Sequence, residues 1–226
     1  FHSVTGYSKF GTYADDATTN HSNSVTLGFR PAFLMVKKTN GTGNWVMVDN
    51  VRNPMSNDVD LYLKADTSDA DATQSGELFK FTSTGFTIGA NLGDVNASGD
   101  SYIYMAFAGG SDAVSTVNTD GSTDSRVKAN TTYGQSIVSW TNPGGSVGHT
   151  IGHGLGSKPD MMMVKARGEA GSWFVWHKDL SDEDRSFLYL NTDAAAGSNA
   201  SAWNDTAPTT TVFSNLSNYL GGNEKN

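Results

Sequence analysis

Two histidines, His149 and His153, stand four residues apart, a spacing that can bind zinc when both side chains lie on one face of a helix. They belong to residues 148–156, GHTIGHGLG, and glycines at this density oppose a helix. The chain contains no cysteine, so thiolate ligands and disulfides are excluded. We interpret both histidines as polar loop residues beside a turn and predict no metal site.

Two acidic segments offer oxygen atoms to a hard cation. Residues 94–100, DVNASGD, resemble the start of a calcium loop, with oxygen donors at alternating positions and glycine sixth. The twelfth position is Met105, where such a loop needs a bidentate carboxylate. Residues 66–71, DTSDAD, form the second acidic run. We predict that residues 94–100 form an Asx-rich turn and that residues 66–71 form a solvated loop. Weak calcium binding is the only cofactor binding for which we consider these segments candidates.

The element that must position these residues is a long internal repeat. Residues 27–45 recur as residues 155–173, 128 positions later, with eight of nineteen positions identical and no gap. Glycine, proline and tryptophan keep register together, which chance similarity in a chain rich in Ser and Thr would not produce. We therefore identify a tandem repeat of domain size and predict that its shared residues form a structural core: Gly28, Pro31 and Trp45, with Gly156, Pro159 and Trp173.

No acid, base or nucleophile recurs between the two copies. Asp49 aligns with His177, and Arg52 aligns with Leu180. A hydrolase would need paired carboxylates or a nucleophile beside a base, whereas the residues that do recur are Trp, Pro, Gly, Leu and the lysine pair Lys37/Lys165. We predict no catalytic residues and expect that the protein is not an enzyme.

Composition favours an all-β fold. Apolar runs are short and lie between clusters of Gly, Asn and Asp, and no segment shows helical periodicity over three turns. We predict two tandem antiparallel β-sandwich modules of a jelly-roll or lectin-like kind. The net charge of −8 argues against nucleic-acid binding, and no apolar run has the length that would predict membrane insertion.

The repeat also predicts the domain organisation. Residues 1–6 are interpreted as the end of a preceding module or a linker, and residues 7–108 as the first module. Residues 109–130, rich in Ser, Thr, Asp and Gly, are predicted to be a linker or a long edge loop. Residues 131–226 form the second module, which lacks a counterpart of the last strand predicted in the first, at residues 102–107. We expect this chain to be an excerpt of a longer array.

Several motifs carry a resemblance to a known family: Gly6 to Gly11, residues 153–156 with Pro159, Val164-Lys165, Trp173, residues 189–192, and residues 95–100 with 102–107. In these motifs the chain resembles a tandem repeat domain of unknown function that is found in predicted tail or fibre virion proteins of bacteriophages, often marine ones. The resemblance implies a structural or attachment role and implies no catalytic residues.

The resemblance leads to the expected function, a non-catalytic component of an extracellular phage fibre or tail appendage that displays loops for host attachment. The expected location is the virion, and the expected partners are other copies of the chain (a homo-oligomer such as a trimer), other virion proteins and a host surface glycan or protein. The alternative is a secreted carbohydrate-binding module of a bacterial adhesin or enzyme. Trp203 and Tyr219 are the candidates for stacking on a sugar face.

Overall fold

A computed structural model describes residues 2–14, 21–53, 58–89, 92–110, 114–144 and 148–216. Within these ranges the regular elements are β-strands, which confirms the predicted all-β class, and no helix there is long and apolar enough to cross a membrane. The chain divides into two compact units, as the tandem repeat predicts. The first comprises Phe1–Ala65 and Ala72–Ser115, and the second comprises Asp66–Asp71 and Thr116–Asn226.

The first unit contains two antiparallel sheets. The strands in chain order are β1 (Ser8–Ala14), β2 (Asn23–Thr26), β3 (Pro31–Lys38), β4 (Val46–Asp49), β5 (Asp58–Val59), β6 (Leu61–Lys64), β7 (Ala72–Thr73), β8 (Phe79–Thr82), β9 (Gly85–Ile88) and β10 (Ser101–Ala108). One sheet has the order β1-β10-β3-β4-β6-β7, and the other has the order β2-β9-β8-β5. The last strand in sequence therefore lies between β1 and β3.

Side chains from both sheets form the core of the first unit. Leu34 and Tyr102 from the larger sheet share one buried cluster with Phe79 and Phe86 from the smaller sheet, and each of the four is at most 1% exposed. Alternation along the strands sends every second residue inward, so β10 buries Tyr102, Tyr104, Ala106 and Ala108. Two sheets around one shared core are the sandwich that the sequence predicts.

The second unit repeats several of these pairings among its described residues. Its strands are β11 (Thr116–Asn118), β12 (Ser125–Asn130), β13 (Gln135–Trp140), β14 (Gly148–Gly152), β15 (Met161–Val164), β16 (Phe174–His177), β17 (Ser186–Tyr189), β18 (Gly197–Ser198) and β19 (Val212–Leu216). β15-β16-β17-β18 form one sheet, matching β3-β4-β6-β7, and β14 pairs with β19 as β2 pairs with β9. A further sheet has the order β11-β12-β13.

One backbone hydrogen bond shows how closely the copies agree. The N–H of Asn50 donates to the carbonyl of Ala32 at 3.1 Å, and 128 positions later the N–H of Lys178 donates to the carbonyl of Asp160 at 3.1 Å. Both bonds extend the pairing of the central hairpin by one residue. The hairpins β3-β4 and β15-β16 therefore have the same register as well as similar sequences.

The boundary between the modules differs from the prediction. Residues 109–130 were expected to be a linker or a long edge loop, but β11 and β12 lie within them and belong to the second unit. Val127 on β12 is 5% exposed, so this strand contributes to the interior. The Ser- and Thr-rich composition concealed the strand, since only two of its six residues, Val127 and Ala129, are apolar. Of residues 1–6, Val4 bridges Ser8 and so belongs with β1.

Candidate functional site

The recurring glycines serve a turn that precedes the central hairpin. Gly28 has φ +87° and Gly156 has φ +70°, and an added Cβ would meet no atom within 4 Å at either position. Glycine is therefore required by the backbone conformation alone, because residues with a Cβ atom disfavour the left-handed region. Pro31 and Pro159 follow, and both are buried. These four residues fix the path of the chain into β3 and β15.

The two recurring tryptophans also occupy equivalent places. Trp45 directly precedes β4, and Trp173 directly precedes β16. The carbonyl of Trp45 accepts from the N–H of Ala65 at 2.9 Å, and the carbonyl of Trp173 accepts from the N–H of Leu190 at 3.1 Å. Both donors come directly after the next strand of the sheet. Trp173 is 5% exposed and Trp45 is half-buried. Each tryptophan therefore stabilises the start of the strand that follows it, β4 or β16.

The recurring lysine makes a local backbone contact in each unit. Lys37 Nζ donates to the carbonyl of Lys38 at 3.0 Å, and Lys165 Nζ donates to the carbonyl of Ala166 at 2.6 Å. Each ammonium group thus satisfies the backbone at the end of a strand. A lysine held in this way supports the hairpin, and no carboxylate or nucleophile recurs beside it that would give it a chemical role.

One of the two histidines lies on a strand, and the other comes just after it. His149 is within β14, which corrects the prediction that both histidines are loop residues, while His153 comes just after the strand. Glycine is required at position 152 because an added Cβ would lie 1.8 Å from Oδ1 of Asn118, so the backbone of β14 packs closely against that side chain.

His153 is engaged with the backbone on both ring nitrogens. Its Nε2 lies 3.3 Å from the carbonyl oxygen of Thr209, and its Nδ1 accepts from the N–H of Leu155 at 3.2 Å. Burial lowers the pKa of His153 below its ordinary value of 6.5, opposed by the bond to Thr209. The residue is 3% exposed, so it acts as a neutral buried side chain that joins β14 to the segment before β19.

The acidic loops hold the fold together through hydrogen bonds and ion pairs. Asp94 accepts from the backbone N–H of Asn44 at 2.9 Å and from the side-chain amide of Asn44 at 3.0 Å. Asp100 pairs with Lys38 at 2.5 Å. Asp71, which lies in the second unit, pairs with Arg167 at 3.0 Å. Among the described residues no three His, Asp or Glu side chains gather as a metal site would require.

One buried ion pair is specific to the first unit. Arg52 Nε lies 2.5 Å from Asp49 Oδ2, and the side chains are 6% and 10% exposed. Asp49 Oδ1 accepts from the backbone N–H of Val51 and of Arg52, each at 2.9 Å, and Arg52 also donates to the carbonyl of Met47. The carboxylate therefore organises the turn after β4. Because both oxygens of the Asp49 carboxylate are engaged by groups of the protein itself, we assign this residue a structural role.

The predicted sugar-stacking residues are not supported as a binding face. Trp203 is 1% exposed, and its Nε1 donates to the carbonyl of Ser186 at 2.9 Å. The ring belongs to the core of the second unit with Trp176 and Phe187, which corrects the prediction that Trp203 stacks on a sugar. Tyr219 lies outside the described residues.

Sequence reasoning missed an exposed apolar edge in the second unit. Met161 and Met163 on β15 are 51% and 45% exposed. Their counterparts 128 positions earlier, Phe33 and Met35, are half-buried beside β10. Sequence reasoning could not find this edge, because the exposure of β15 depends on the order of strands in the sheet, which in the first unit places β10 beside β3.

The fold and these residues define a class, that of tandem all-β repeat proteins whose shared residues support turns and cores. A family model described as a domain of unknown function (DUF7483) matches residues 1–111 and again residues 109–226. The chain therefore belongs to this family and contains two copies of its domain. No curated protein matches the chain, and no solved structure matches it.

Proposed function

We propose that the protein is a non-catalytic structural component of an extracellular bacteriophage fibre or tail appendage, and that its loops contact the host surface. One observation carries the proposal. The residues that recur between the two units, Gly28/Gly156, Pro31/Pro159 and Trp45/Trp173, hold turns and strand entries and make no chemical site. Two copies that share their turn and core residues and share no reactive group fit a building block of an elongated assembly.

The side chains that could do chemistry support the same reading. Asp49 and Asp94 have their carboxylate oxygens occupied by hydrogen bonds within the first unit. His153 is buried between backbone groups. Each of these residues therefore contributes to stability, which an appendage outside the cell requires. The partners proposed for such an appendage are other copies of the chain, for example in a trimer, other virion proteins, and a host glycan or protein.

The proposal is tested on purified virions of the phage whose genome encodes the chain. Quantitative mass spectrometry should find its peptides in virions in a constant ratio to other structural proteins, and antibodies against the chain should reduce adsorption to host cells. A chain that is missing from virions and present among secreted proteins would overturn the proposal.

A glycan array with the isolated chain distinguishes the fibre component from the alternative, a secreted carbohydrate-binding module. Tight binding of one defined polysaccharide by the monomer would favour a secreted binding module over a fibre component. The buried Trp203 serves as the internal control, because Trp203→Phe keeps an aromatic core residue and should leave any genuine surface binding unchanged. Loss of glycan binding in a folded Trp203→Phe variant would instead place the ring at the binding site.

A further inference from the structure

The larger sheet of the first unit is apolar on both of its sides. In an antiparallel sheet with one side in water, apolar residues that point to the core alternate with polar residues that point to solvent. β10 departs from this pattern. Tyr102 and Tyr104 point into the core, and the residues that alternate with the core positions are apolar as well: Ile103, Met105 and Phe107. We call the side of this sheet that is turned away from the core the outer face.

The strand register places these residues in apolar rows across the outer face. Phe10 on β1 lies opposite Met105 on β10, and Met105 lies opposite Met35 on β3. The next row pairs Phe107 with Phe33. These five side chains are half-buried and lie outside the buried core cluster of the unit. They form an apolar layer on the side of the sheet opposite to that core.

The aromatic rings of the outer face contact one another. The ring of Phe107 lies 5.8 Å from that of Phe10, with the planes at 85°, and 6.2 Å from that of Phe33. Tyr7 is a further neighbour of Phe107, at 5.7 Å. These are ordinary separations for packed aromatic pairs. The apolar surface is therefore contiguous, and a contiguous apolar patch marks an interaction site in a way that scattered apolar residues do not.

The smaller sheet of the same unit provides an internal comparison. Across its side away from the core, Ser24 lies opposite Thr87, and Thr87 lies opposite Lys80. Lys80 in turn pairs with Asp58 at 3.1 Å. This row is polar from one edge of the sheet to the other. The unit thus follows the usual alternation in one sheet and departs from it in the other, so the composition of the chain does not explain the apolar outer face.

The second unit has a matching outer face. Met163 on β15 lies opposite Val175 on β16, which lies opposite Leu188 on β17. These residues alternate with those of the core cluster, which include Trp176 and Phe187. Eight large apolar residues are exposed in the described part of the chain, and five of them lie on the two outer faces or directly beside them: Ile103, Met161, Met163, Leu188 and Leu190.

The area of the outer faces indicates what covers them. β1, β10 and β3 have seven or eight residues each, which at about 3.3 Å per residue and about 4.8 Å between strands gives about 360 Å². β15, β16 and β17 have four residues each and give about 190 Å². A specific interface buries about 1,000 Å² or more in total, or about 500 Å² per partner. One outer face is too small, whereas both together reach about 550 Å². The partner must therefore offer two similar faces, as a second copy of this chain does.

The charge of the chain favours the same partner. The apolar rows contain no charged residue, so they offer a charged partner no ion pair. The chain carries a net charge of −8, which makes two copies repel each other where acidic side chains are exposed. Contact is favoured where such side chains are absent. Met35, Met105 and Met163 are flexible enough to fit against an identical face.

We propose that two copies of this chain associate through their outer faces, sheet against sheet. Because β10 is the middle strand of β1-β10-β3, Met105 lies at the centre of the contact in the first unit. A two-fold contact of this kind brings each central residue close to its counterpart in the other copy. The proposal deepens the proposed function, on which it rests for the role of other copies as partners, by naming the surface through which they meet.

Sedimentation equilibrium of the full chain, from about 1 μM to 1 mM, tests the proposal. We expect a dimer with a dissociation constant in the micromolar range, because the area is near the lower limit for specific interfaces. Met105→Lys and Met105→Glu place like charges opposite each other, so each variant alone should associate at least about tenfold more weakly. An equimolar mixture of the two variants should form a one-to-one heterodimer, since the facing charges are then opposite.

An exposed apolar residue away from the outer faces supplies the matched control. Val117 on β11 is 60% exposed, and Val117→Lys should associate as the wild type does. If circular dichroism shows that the Met105 variants are unfolded, oxidative footprinting of the wild-type chain decides. Met35, Met105 and Met163 should then be oxidised more slowly at a concentration at which the dimer forms than at a concentration at which it dissociates.

Three results would overturn the proposal. The first is a wild-type chain that stays monomeric up to about 1 mM, including one that instead binds vesicles of neutral phosphatidylcholine, which would assign the outer faces to a lipid surface. The second is a folded Met105→Lys variant that associates as tightly as the wild type. The third is a mixture of the two charged variants that stays monomeric, or footprints that do not change with concentration. None of these results affects whether the chain occurs in virions, so failure of the interface is distinguished from failure of the proposed function.

Discussion

A pair of glycine-to-alanine substitutions in the second unit should have opposite effects on stability. Gly156 has φ +70°, whereas the φ of Gly171 lies outside the left-handed region, and an added Cβ would meet no atom within 4 Å at either position. Packing therefore contributes equally little to both changes. Alanine also stiffens the unfolded chain to a similar degree at both sites, which favours the folded state by about 0.4–1 kcal/mol.

The difference between the two variants is then the backbone strain at Gly156. An alanine in the left-handed region costs roughly 1–2 kcal/mol, so we expect Gly171→Ala to be neutral or stabilising and Gly156→Ala to be destabilising. The N–H of Gly171 that donates to Ser68 at 2.8 Å is retained in alanine. The predicted separation of the two variants is about 1–2 kcal/mol in the free energy of unfolding.

Urea unfolding followed by tryptophan fluorescence measures this separation. Of the five tryptophans, only Trp45 lies outside the second unit, so the signal reports mainly on that unit. With a denaturant slope of about 2 kcal/mol per M, the midpoints of the two variants should differ by about 0.5–1 M. Equal midpoints, or a higher midpoint for Gly156→Ala, would refute the claim that backbone conformation explains the recurring glycine.

Three further predictions concern buried side chains. Trp203→Ala should destabilise the second unit by about 3–5 kcal/mol, because the ring fills the core and its N–H donates to the carbonyl of Ser186. Trp203→Phe should destabilise it by less, since an aromatic ring is kept. An alanine variant as stable as wild type in urea would refute this. Asp49→Ala should lower the free energy of unfolding of the first unit by about 3–5 kcal/mol, since it leaves the charge of Arg52 buried without its carboxylate partner. An unchanged melting temperature in calorimetry would contradict this. The pKa of His153 is lowered in the folded state, so its contribution to stability is full above about pH 6.5 and is lost as the pH falls below that value. His153→Gln should reduce the loss of stability between pH 7.5 and 5.5, and identical pH profiles for the variant and the wild type would exclude this role.

The sequence was sufficient to predict the repeat and its turns. Gly28 and Gly156 are both in the left-handed region, and both hairpins share one register. These features depend on local geometry, which glycine and proline encode directly. The all-β class follows in the same way, from short apolar runs without helical periodicity.

Features that depend on neighbours distant in sequence could not be predicted. β12 is polar in composition, and its pairing with β13 makes it a strand. Trp203 was a candidate for stacking on a sugar face, but its ring lies in the core of the second unit, where its N–H donates to the carbonyl of Ser186. The exposed edge of β15 required the order of strands, which places β10 beside β3 although the two are distant in the chain.

The matched strands β3 and β15 provide the most direct measurement of the central claim, that one β unit is present twice and that β15, among the described residues, is paired on one edge only. Hydrogen exchange of the free chain, resolved to single amides, compares Phe33 and Met35 with Met161 and Met163. The structure predicts strong protection of Phe33 and Met35, which face β10, and fast exchange of Met161 and Met163, while Met162 and Leu34 are protected in both hairpins. Equal protection of Met35 and Met163 would contradict the account.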